Sequence, residues 1–127
     1  MCPVMDARRN QFYNALFKWE NGELIRLTPD RLISAEELAK ELSALDGEVY
    51  CVGDGYALAT KTLRCGNILP TEEALIPQTG RSVALLGEKT YNAADDKDQF
   101  TDLILKPGYL RASQAEREKN EKKIQNT

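Results

Sequence analysis

The sequence predicts a mixed α/β fold: a three-stranded antiparallel start, then alternating helices and strands. Three observations lead there. Residues 3–32 are rich in strand-forming side chains arranged around Asn21-Gly22. Ser34-Ala35-Glu36-Glu37 carries the Ser-x-x-Glu pattern that opens a helix. From residue 48 a short apolar run meets Gly53-Asp54-Gly55, and a second helical pattern follows.

Taken in order, residues 3–6 read as a short strand entering the polar turn Ala7 to Asn10. Residues 11–19 read as a longer strand carrying Phe12, Tyr13, Leu16, Phe17 and Trp19. Asn-Gly between two apolar runs is the strongest short hairpin signal, so residues 24–32 read as the return strand. Pro29 breaks that strand or places it at an edge, because proline donates no ladder hydrogen bond. A first helix starts at the Ser34 cap, with Leu38, Leu42 and Leu45 on one face, and closes at Asp46-Gly47. Residues 48–52 form a strand, residues 56–64 a second helix, and residues 66–70 a loop with room for a brief strand. A third helix is expected from Pro77 to Lys89, burying Val83, Leu85 and Leu86. Residues 92–97 read as a polar loop. Beyond Arg111 the chain is nearly all polar, and Ser113 to Glu116 offers a cap for a last helix or the root of a tail. The expected organisation is one lobe over 1–111 and a polar C-terminal helix or tail over 112–127. This order of elements matches the ribonuclease-H-like unit, two of which build the actin-like (ASKHA) ATPases, and the chain reads as a second lobe of that kind.

Composition narrows the chemistry. At 127 residues the chain suits one domain, able to bury about two thirds of its unfolded surface. A net charge of −3 does not mark a protein whose main partner is a polyanion. There is no histidine, which removes imidazole bases, Ser-His and Cys-His pairs and His-ligated metals. Cys2, Cys51 and Cys65 are odd in number and widely spaced, as expected of reduced cytoplasmic thiols. No apolar run reaches the ~20 residues of a membrane span. The adjacent carboxylates Glu36-Glu37 and Asp95-Asp96 read as solvated. No catalytic, metal or cofactor residue is expected.

Three motifs carry a more specific signal. Asp6-Ala7-Arg8-Arg9 followed by Gln11-Phe12-Tyr13 resembles the DARR-x-E/Q-V-Y signature of the bacterial TsaB family, also called YeaZ or glycoprotease-like. Gly53-Asp54-Gly55 is similar to that family's GDG. Pro107-Gly108-Tyr109-Leu110-Arg111 is similar to its P-x-Y-L-R. Gln11 replaces a frequent Glu, and Gly108 a larger apolar residue. The resemblance covers the family's C-terminal half only, so its N-terminal lobe is expected to be absent. It implies a non-catalytic scaffold that binds the catalytic subunit TsaD and, with the ATPase TsaE, supports threonylcarbamoyladenosine formation on tRNA. Contact with tRNA is then indirect. The lobe is also expected to expose an apolar face and to self-associate.

Each motif has two open readings. Asp6, Arg8 and Arg9 either brace the hairpin, with Asp6 capping the turn, or meet a partner or anion. The turn has no glycine where an actin-like ATPase brings backbone N–H groups to phosphate, so a nucleotide site there would be degenerate. Gly53, Asp54 and Gly55 form a tight strand-to-helix turn or a phosphate cradle. Tyr109 and Leu110 pack onto the lobe while Arg111 pairs nearby, or the segment docks a partner. Phe12, Phe17 and Trp19 read as sheet core or hairpin packing rather than a base-stacking platform, and Tyr13 is a motif position with a structural or a partner-contact role.

Overall fold

A computed structural model of the chain describes residues 1–113 and residue 116. Five strands form the main sheet: β1 (Cys2–Asp6), β2 (Gln11–Asn14), β5 (Arg31–Ser34), β6 (Val49–Val52) and β7 (Ile68–Leu69). Their order is β5-β2-β1-β6-β7. The β1–β2 and β2–β5 pairs are antiparallel, and the β1–β6 and β6–β7 pairs are parallel. The hairpin β3 (Phe17–Glu20) and β4 (Glu23–Arg26) forms a separate two-stranded sheet.

This corrects the expected ribonuclease-H-like, actin-like second lobe. That reading placed residues 3–6, 11–19 and 24–32 as the three strands of one antiparallel start. The second is split, the third is interrupted around Pro29, their hairpin stands outside the main sheet, and the order and topology are not the predicted second-lobe pattern. Ala15 and Leu16 supply the reason for the first break. Both are buried in succession, which a strand with alternating faces cannot accommodate. The Leu16 amide donates to Thr28 Oγ1 at 2.8 Å, and its carbonyl accepts from Leu27 at 2.8 Å. The chain is thereby turned off the sheet into β3. Asn21 and Gly22, at φ +52° and +83°, make the predicted turn. Pro29 lies in the gap between β4 and β5, so the break expected there is present.

Helix α1 (Ala35–Ser43) has the full capping box. Ser34 Oγ accepts from the Glu37 amide at 3.2 Å, and the Glu37 carboxylate accepts from the Ser34 amide at 3.2 Å. The helix stops before Asp46-Gly47, where Asn67 Nδ2 donates to the carbonyl of Leu42 at 2.8 Å. Leu45 is therefore beyond the helix and exposed, while Leu38 and Leu42 are buried. Helix α2 (Tyr56–Thr62) follows the Gly53–Gly55 turn.

One face of the sheet is sealed. Cys2, Val4, Phe12, Val49 and Cys51 pack with Leu38 and Leu42 of α1 and with Ala59 and Leu63 in and just after α2. The other face carries Pro3, Met5, Tyr13 and Tyr50, which are half-buried or exposed. Beyond Leu63 no described residue is buried.

Helix α3 spans Gly80–Ala93 rather than residues 77–89, and Thr79, not Pro77, opens it by accepting from the Ser82 amide at 3.2 Å. At its far end Lys97 Nζ donates to the carbonyls of Tyr91, Asn92 and Ala94, which satisfies the free acceptors of the helix C-terminus. The expected burial of Val83, Leu85 and Leu86 is corrected: Val83 is 68% exposed and Leu86 65%. Helical periodicity produces the apolar stripe, but no described element faces it. Ser113 and Glu116 exchange the expected capping bonds, at 2.9 and 3.3 Å. The helix or tail expected after them lies outside the described residues. Among the described residues no helix is long and apolar enough to cross a membrane.

Candidate functional site

The end of β1 is where the three motifs meet. Asp6 is the last residue of β1, and its carboxylate accepts from the Arg8 amide at 2.7 Å. Ala7 is buried and donates to the Gln11 carbonyl at 3.0 Å. Arg8, Arg9 and Asn10 then stand in succession at φ +63°, +55° and +57°. Non-glycine residues adopt that left-handed region at a cost of about 1–2 kcal/mol each. Cross-links hold the turn there: the Gln11 amide donates to Arg8 at 3.1 Å, and the Ala35 amide to Asn10 at 3.0 Å. Arg8 reaches Asp6 only at 3.5 Å, with its side chain 86% exposed, so this ion pair contributes little. The amides of Ala7, Arg8 and Gln11 are bonded within the turn, while Arg8 and Arg9 are exposed.

The second motif abuts the first through the backbone. Gly55 donates to the carbonyl of Val4 at 3.0 Å, two residues before Asp6. A Cβ on Gly53 would lie 2.4 Å from that same carbonyl oxygen, and Gly53 has φ +104°. A Cβ on Gly55 would sit 3.0 Å from it and 3.2 Å from the Asp6 amide. Close approach to β1 thus accounts for both glycines. Asp54 is exposed beside them.

Arg111 brings the third motif to the first. Its guanidinium donates to the Ala7 carbonyl at 2.6 Å and to Gln11 Oε1. These contacts span 104 and 100 residues of sequence. The expected packing of Tyr109 is corrected: its side chain is 85% exposed, and Leu110 is exposed too. Pro107 is likewise exposed. Residues 108–111 cross the open face of the sheet and, with Pro3, Met5, Tyr13 and Phe17, line a cavity of about 640 Å³. Tyr13 is half-buried there, at the register position opposite Met5. Phe12 is core as expected, Phe17 lies under the Arg26 guanidinium at 4.7 Å, and Trp19 is 65% exposed on the hairpin instead of packing.

Two polar residues escaped the sequence reading. Asn14 is buried and donates to the carbonyls of Pro3 at 2.8 Å and Ala15 at 3.1 Å. Its Oδ1 accepts from Arg31 at 3.1 Å, and Arg31 also pairs with Glu41 at 2.6 Å. This chain of contacts ties β1, β2, β5 and α1 together. A lone Asn ending a strand has no local pattern that reveals it. Among the described residues no three His, Cys, Asp or Glu side chains converge to hold a metal ion.

No protein-family model and no curated protein matches the chain. The similarity to the TsaB (YeaZ) family therefore rests on the three motifs alone, and the ASKHA label attached to it is corrected by the strand order of the sheet.

Proposed function

We propose that the chain is a non-catalytic adaptor that works in the cytoplasm through protein contacts. On the similarity of its three motifs, its partner is a TsaD-type catalytic subunit, acting with a TsaE-type ATPase in threonylcarbamoyladenosine modification of tRNA. The observation that carries this reading is the Arg111 contact with Ala7 and Gln11, which joins the first and last motifs across the open face of the sheet. An assembled surface of separated motifs is what a docking face requires, and a strained turn displaying two arginines fits its rim. Gly53 and Gly55 are filled by β1, which disfavours a nucleotide module at that turn.

Isothermal titration of the full chain into a TsaD-type subunit tests the reading. Micromolar binding is expected, and Arg111→Ala should weaken it about tenfold, equivalent to about 1.4 kcal/mol. Binding of ATP by the chain alone, with no response to the TsaD-type subunit, contradicts it.

A further inference from the structure

We propose that Cys2 and Cys51 form a buried cross-strand dithiol that a peroxide closes to a disulfide, locking β1 to β6. The sequence separates these residues widely, but the parallel register places them directly opposite each other. Both are fully buried on the sealed face. Neighbouring strands lie about 4.8 Å apart, inside the roughly 4.4–6.8 Å that a disulfide spans between Cα atoms. Cys65 is elsewhere, its thiol directed at the Ala39 carbonyl at 3.3 Å.

Asn14 Nδ2 donates to Cys2 Sγ at 3.4 Å and fixes its position. The neighbouring Cys51 thiol and burial push Cys2 up, and the neighbouring Cys2 thiol lowers Cys51. Either sulfur can attack first. The first thiolate attacks one peroxide oxygen, the O–O bond breaks, and the released hydroxide takes a proton to become water. That cysteine is then a sulfenic acid. The second cysteine's sulfur attacks it, the S–S bond forms, the S–O bond breaks, and a second water leaves with the second thiol's proton. Two thiols lose two electrons in all, and one peroxide becomes two waters.

Access is through local opening of the ladder. Only Cys2↔Cys51 and Pro3↔Val52 pair β1 with β6, and Pro3 has no amide to donate. Closure would tie the strand leading into Asp6 to the strand leading into Gly53.

The test exposes the full chain to hydrogen peroxide, then denatures it, alkylates free thiols and maps the peptides by mass spectrometry. The expected product carries one alkyl group, on Cys65, and a reductant-sensitive Cys2–Cys51 link. Its melting midpoint should rise by about 5 °C or more. Cys65→Ser should oxidise in the same way, which keeps the test independent of variants that disturb the core. Three alkylated cysteines after peroxide treatment of the folded chain, or a link made by Cys65, would overturn the proposal.

Discussion

Residues 1–63 and residues 64–113 carry similar apolar side chains and use them in opposite ways. In the first region Phe12, Leu38, Leu42 and Val4 are sealed between the sheet and two helices. In the second, Val83, Leu86, Leu103 and Leu105 remain in solvent. Helix α3 has a side-chain N-cap as α1 does, so local signals form a helix in both places. The difference is the opposing surface: α1 has a sheet face to cover, and α3 has none among the described residues. Burial is a property of two surfaces, while periodicity is a property of one.

The largest effects should break this comparison most visibly. Phe12→Ala should cost about 3–5 kcal/mol in urea unfolding, through lost transfer energy and a cavity. Leu86→Ala should stay within about 0.5 kcal/mol, as for an exposed site. Equal losses would show that α3 is packed in solution.

Two glycines sharpen the contrast. Gly53→Ala forces a Cβ against the Val4 carbonyl oxygen at a positive φ, and should cost more than about 2 kcal/mol by the same measurement. Gly87→Ala meets nothing and should raise the helicity of α3 by up to about 1 kcal/mol, seen by circular dichroism.

Exposed leucines have a smaller and concentration-dependent consequence. Light scattering should show the chain self-associating as its concentration rises, and a Val83→Glu/Leu86→Lys double variant should remain monomeric. A monomeric parent chain at high concentration would contradict that.

The smallest effect is electrostatic. Hydrogen bonds from the Ser34 hydroxyl, then its amide, hold the Glu37 carboxyl below its ordinary value. A depressed carboxyl stabilises the fold above its unfolded value of about 4.3, and that stabilisation is lost as pH falls through the lower folded value. Glu37→Gln should therefore shift the urea midpoint down slightly at pH 7 and not at all near pH 2.

What was legible in the sequence was local. Ser34 and Glu37 lie three residues apart, Asn21-Gly22 is its own signal, and Gly53 and Gly55 announce a turn beside a strand. The off-sheet hairpin was not legible, because Ala15 and Leu16 look like continued strand until Thr28 captures the Leu16 amide. At the candidate site, each motif could be read singly. Their junction could not, since Arg111 reaches Ala7 from the far end of the chain and Gly55 meets Val4 only after β1 and β6 pair. The same long-range pairing hid Cys2 beside Cys51.

Hydrogen exchange with mass spectrometry, run with and without a TsaD-type subunit, tests the adaptor account most directly. Alone, amides of β1, β2 and α1 should exchange slowly and those of α3 quickly. With the subunit present, protection should rise in residues 6–13 and 107–111, and in α3. Full protection of α3 in the free chain, or no change at any of these segments on adding the subunit, would contradict the account.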